Sequence, residues 1–143
     1  MTVARVEIKG LKQLLRDVRK VEADLPKTMR QTLLPISQNV LSRARQRAQG
    51  LGGVQAHAVR RGLRAGATQN TAWIKLLADK EPTILGAEYG GGARPTTRQF
   101  PPWRGSGGGS GYFVWPTIRG MAREVDDRFA DGLDDVLRSA GFR

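Results

Sequence analysis

Few residues in this chain have the types and spacing that chemistry needs. Cysteine is absent and His57 is the only histidine. A thiolate nucleophile, a thiolate metal site, a two-histidine zinc site and a histidine relay are therefore excluded within one chain. The adjacent carboxylates Asp126 and Asp127 fall in a helical pattern, where neighbours point about 100° apart, so they are no shared-proton dyad. The glycine runs Gly90-Gly91-Gly92 and Gly105 to Gly111 lack both the Gly-Lys-Ser/Thr ending of a P-loop and a GxGxxG at a strand-to-helix turn. Neither a catalytic centre nor a metal or cofactor site is expected. What the residue types do offer is binding. Phe100, Trp103, Tyr112, Phe113 and Trp115, with Tyr89, are six of the nine aromatics, and Arg94, Arg98 and Arg104 are interleaved with them. Aromatic and arginine side chains anchor interfaces.

A second candidate surface is basic. Between Asp24 and Asp79 there is no carboxylate, but nine Lys and Arg residues, within a chain of 24 Lys plus Arg, 13 Asp plus Glu and a net charge of +11. Arg43, Arg45 and Arg47 lie late in a helical pattern, where cations are favoured by the helix dipole. Arg47 continues the apolar stripe and Arg45 points almost the opposite way, so the three form no single ridge. Arg60, Arg61 and Arg64 cluster on a shorter helical stretch. Two readings stand for these six: solvated or subunit-contact cations, which is favoured, or direct nucleic-acid contact. No aromatic precedes Trp73, so the basic region lacks the stacking platform of a single-strand binder. His57 reads as a surface residue of the same stretch.

The elements that position these residues follow from periodicity. Ala4, Val6 and Ile8 alternate with charged residues, which predicts a strand closed by Gly10. Leu11, Leu14, Leu15, Val18, Val21 and Leu25 recur at helical spacing. Pro26 opens a further helix with Met29, Leu33, Ile36 and Val40 on one face, reaching about Gln49, and Pro35 is expected to kink or divide it. Val54 to Leu63 reads as a short basic helix. Thr71 to Leu77 reads as a strand, with Thr83 to Tyr89 as its hairpin partner across a turn at 79–82. Residues 90–111 hold eight of the 18 glycines and three of the seven prolines, a loop of a length that is functional or disordered in compact domains. Its aromatics argue for docking, on a neighbour or on its own domain. Tyr112 to Trp115 reads as a short strand.

The last segment is the clearest. Ile118, Ala122, Val125, Phe129, Leu133, Val136 and Ala140 share one stripe, with Glu124, Asp127, Asp131, Asp134 and Asp135 opposite and Pro116 just before it. At 143 residues the chain fits one α+β domain, a small antiparallel sheet packed by long helices, with the glycine and aromatic loop within it. No apolar run approaches the roughly 20 residues that span a bilayer, and the charged start does not read as a secretory leader. A soluble, unexported protein is expected.

Three segments together carry a resemblance: Gly86-Ala87-Glu88-Tyr89-Gly90-Gly91, then Gln99-Phe100-Pro101-Pro102-Trp103-Arg104-Gly105, then Gly111-Tyr112-Phe113-Val114-Trp115-Pro116. With the opening Ile8-Lys9-Gly10-Leu11-Lys12-Gln13-Leu14 and the closing amphipathic helix, the chain resembles the tail-completion or head–tail connector family of long-tailed bacteriophages. It departs from many relatives in the glycine-rich insertion between Arg104 and Tyr112. The resemblance implies a non-enzymatic virion protein of the neck, made in the host bacterial cytoplasm. It would form a homo-oligomeric ring joining the head-side connector or stopper to the tail terminator or tail tube, around the DNA channel. It brings no catalytic residues, cofactor or metal, no membrane, and at most non-specific contact with DNA. Tyr89, Phe100, Trp103, Arg104, Tyr112, Phe113 and Trp115 are the expected partner contacts. Arg43, Arg45, Arg47, Arg60, Arg61 and Arg64 are the expected nucleic-acid or subunit contacts. The alternative class is a free-standing basic DNA- or RNA-binding protein. The acidic last helix and the basic middle are also complementary between copies, as a ring-closing heterologous interface requires.

Overall fold

A computed structural model describes residues 2–6, 13, 16, 25–91, 100–105 and 109–139. In chain order they form β1 (Thr2–Val6), α1 (Leu25–Leu51), α2 (Gly53–Ala58), β2 (Leu63–Ala67), β3 (Ala72–Leu76), α3 (Ile84–Tyr89) and α4 (Val114–Ser139). The domain is α+β, with one antiparallel three-stranded sheet of order β1-β3-β2. Of the amphipathic run from Leu11 to Leu25, only Gln13 and Arg16, both helical and exposed, and the buried Leu25 are described.

The 27 residues of α1 form one uninterrupted helix through Pro35. The expected division there does not occur. Pro35 sits on the exposed side, while Met29, Leu33, Ile36, Val40, Leu41, Ala44 and Ala48 are buried on both sides of it. Tertiary packing of that continuous face outweighs the lost hydrogen bond. The stripe continues through Ala44 and Ala48. Arg47 is exposed and does not extend it.

Two expectations about the middle of the chain are corrected. The short helix stops at Ala58, and residues 63–67 are β2, which pairs with β3 through a turn at 68–71. The hairpin partner of β3 therefore lies upstream. Register explains why: Gly66 stands opposite Trp73, and a Cβ on Gly66 would lie 2.0 Å from the indole. Only glycine lets that ring lie across the strand. The segment 83–89, expected as the partner strand, is instead helical α3, burying Ile84, Ala87 and Glu88 at helical spacing.

Helix α1 covers the sheet face formed by Ala4, Leu63, Ala67, Ala72, Ile74 and Leu76, all buried. Helix α4 runs antiparallel along α1. Thr32 meets Gly132, Arg43 reaches Glu124 at 3.6 Å, and Arg47 approaches Gly120. Val125, Phe129 and Val136 are buried in that seam as the stripe predicts, and Met121 joins them. Ile118 and Leu133 are half-buried and Ala122 is exposed. Ala140 lies outside the described residues. Among the described residues no helix is long and apolar enough to cross a membrane.

Candidate docking site

The site begins at the end of α3. Glu88 has no exposed surface, and an isolated carboxylate there would be costly to bury. Its partners are backbone. Oε1 accepts the N–H groups of Tyr112 and Phe113, and Oε2 accepts that of Val114 at 2.6 Å. These are donors at the entry of α4 that have no partner within the helix, and the helix dipole favours a negative charge at that end. Glu88 thus caps a helix that starts 26 residues later. Burial pushes its carboxyl above the ordinary range, and the backbone N–H groups of Phe113, Tyr112, Val114 and Trp115 oppose that without cancelling it.

This cap corrects the expected strand at Tyr112–Trp115. Tyr112 and Phe113 form a bend, and Val114 already starts α4. Gly111 makes the approach possible: its φ is +91°, and a Cβ there would lie 2.4 Å from Glu88 Oε1.

The middle segment folds onto the same point. Gly90, at φ +99°, has its α-carbon against the carbonyl of Pro102, where a Cβ would come within 2.3 Å. Gly91 N–H donates to Pro101 O at 2.9 Å and Arg104 N–H to Tyr89 O at 2.8 Å. Residues 101–104 are therefore held alongside 89–91. The Phe100 ring lies over Gly86. Tyr112 Oη donates to Pro102 O at 2.6 Å, and Trp115 Nε1 donates to Tyr89 Oη at 2.9 Å. Burial raises the Tyr89 hydroxyl above its ordinary range, with the Trp115 N–H acting in the opposite sense. Arg119 fastens the far side through Ser110 O at 2.8 Å.

What this lock presents outward is small and specific. Trp103 is 49% exposed. Its ring is tilted 51° to that of Tyr89 with centroids 6.5 Å apart. The Arg104 guanidinium lies 3.9 Å over the Tyr112 ring, a cation–π stack. Pro102 and Arg104 are exposed, and Phe100, Tyr112 and Trp115 are half-buried. The other two expected contacts are corrected: Phe113 is 0% and Tyr89 7% exposed. Both are core residues that hold the lock, with little or no surface left for a partner. Arg94 and Arg98 lie outside the described residues.

Sequence reading quoted Glu88 within a motif but did not single it out. The signal was present, as a lone acid between glycines in an otherwise apolar turn of helix. The patch offers no nucleophile beside a base, and among the described residues no group of three or more His, Asp or Glu stands together.

The six basic candidates do not converge. Arg43 turns to α4 and Glu124. Arg45 turns the other way, donating to Leu63 O at 3.3 Å. Arg47 faces the α4 side near Gly120, and Arg60 and Arg61 are exposed in the turn after α2. Arg64 is exposed on the sheet face away from α1. Comparison of the chain with protein-family models, curated proteins and solved structures returned no match.

Proposed function

We propose that this protein is a non-enzymatic virion structural subunit of the neck of a long-tailed bacteriophage. It is a ring-forming tail-completion or head–tail joining protein that docks on neighbouring layers through the patch of Pro102, Trp103, Arg104 and Tyr112. The observation that carries the reading is the convergence of the three segments behind the resemblance. Gly86–Gly91, Phe100–Gly105 and Gly111–Pro116 meet around one buried carboxylate and leave Trp103 and Arg104 at the surface, each against a tyrosine ring. A pre-ordered aromatic and arginine pair contacts a partner at low entropic cost. The ring members would be copies of this chain, the layers above and below the head-side connector or stopper and the tail terminator or tail tube, and the location the virion neck.

Light scattering on nuclease-treated protein at several concentrations tests ring formation. The expected result is a discrete species of six or more copies without nucleic acid. A chain that stays monomeric at the highest concentration, or that grows without limit, contradicts self-closure.

A further inference from the structure

The edge strand β2 carries a cluster of cations that the docking patch does not use. Two bonds fix the strand's orientation: Leu77 N–H donates to Gly62 O and Thr68 N–H to Thr71 O, both at 2.8 Å. Antiparallel ladders alternate, so residues 64 and 66 bond to β3, while the backbones of 63, 65 and 67 face the open edge. Helix α1 clasps both ends of that edge. Arg45 donates to Leu63 O at 3.3 Å and Arg30 to Ala67 O at 3.2 Å. On the face away from α1, Arg64 stands directly opposite Lys75. Like charges so placed are unfavourable, and no ion pair to either occurs among the described residues. Nor does any carboxylate occur in residues 25–78.

We infer that this strip, Arg30, Arg45, Arg64 and Lys75, is a binding surface for the phosphodiester backbone of duplex DNA. The four cations lie along β2, two at its open edge and two on the face away from α1, although they come from three elements and from positions that sequence spacing separates. Carbonyls 63 and 67 are four residues apart, about 13 Å of strand, a span long enough to reach more than one phosphate of a DNA backbone. The register also brings Trp73 beside this basic surface. The indole is not a base-stacking platform, because one side lies on Gly66 and Lys75 Nζ is 4.4 Å over the ring. Backbone contact to a duplex is therefore favoured over single-strand binding. The inference stands on charge placement alone and is independent of the docking patch.

The test titrates a short labelled duplex between 50 and 200 mM salt with the full chain, the double variant Arg64→Gln/Lys75→Gln, and an equal-charge control, Arg43→Gln/Arg47→Gln, on the α4 side of α1. Both pairs are surface residues, and thermal melts establish that each variant is folded. The expected result is a plot of log affinity against log salt that is shallower by about 1.8 for the first variant. Its affinity at the lowest salt should fall about tenfold or more, with little change in the control. Equal losses in both variants, no salt-dependent binding by the wild type, or tighter binding of a single strand of the same length would each overturn it. Loss of tail joining on changing Trp103 would leave this result untouched, so the two readings fail separately.

Discussion

At the scale of residues, the fold depends on one carboxylate. Glu88→Ala removes the acceptor for three N–H groups at the start of α4, two of them buried. Leaving buried donors unsatisfied costs about 1–3 kcal/mol each, so a loss of about 2 kcal/mol or more is expected in chemical denaturation. The pH dependence has a defined sign. Burial raises the folded carboxyl above its unfolded value of 4.5, so the native chain holds that proton more tightly. Its stabilising contribution is full below about 4.5 and is lost as pH rises through the folded value, at up to about 1.4 kcal/mol per pH unit. Glu88→Gln cannot titrate. The stability of the wild type relative to Glu88→Gln should therefore decline as pH rises above that point, and a rising difference would contradict the assignment. Gly111→Ala should destabilise by a different route, since its φ of +91° and the contact with Glu88 both exclude a Cβ.

At the scale of elements, the antiparallel pair α1 and α4 is tightly packed where Thr32 meets Gly132. A Cβ on Gly132 would lie 2.3 Å from Thr32 Cγ2. Gly132→Ala alone should cost about 1–3 kcal/mol through overpacking, and Thr32→Ala in the same chain should recover most of it. A double-mutant cycle measures that coupling, and simple additivity of the two changes would refute the crossing point. The elements also show where sequence reading succeeds. The stripe Val125, Phe129, Val136 and the face Met29, Leu33, Ile36, Val40 were legible because long amphipathic helices announce their buried side by period. The segments at 83–89 and 112–115 were misread, and the strand at 63–67 was missed beyond a helix read to Leu63, because each is short and its conformation is set from outside. Gly66 is a strand residue on account of Trp73, and Val114 starts a helix on account of Glu88. Pro35 failed as a breaker because its ring sits on the water side of a packed helix.

At the scale of the whole molecule, the residues expected to make contacts sort by exposure into two roles. Trp103 and Arg104 face outward, while Tyr89 and Phe113 are the frame beneath them. Sequence composition identified the set because aromatics concentrate there. It could not divide the set, since burial depends on how three distant segments close around Glu88. The basic residues sort in the same way, with Arg30 and Arg45 at the edge of β2, Arg64 and Lys75 on the outer face of the sheet, and Arg43 drawn to Glu124. Two surfaces of different chemistry thus occupy different parts of one domain. An aromatic patch suits docking to protein, and a cationic strand suits a polyanion. On the proposed reading, a subunit around a DNA channel between protein layers would use both.

The docking claim is tested most directly by supplying Trp103→Ala protein in place of wild type in a reaction that joins filled heads to completed tails. Trp103 is half-exposed and holds no hydrogen bond of the lock, so the variant should melt within about 0.5 kcal/mol of wild type, as surface changes do. The account predicts a folded subunit that no longer supports joining. A Trp103→Ala subunit that joins heads to tails as well as wild type would contradict it.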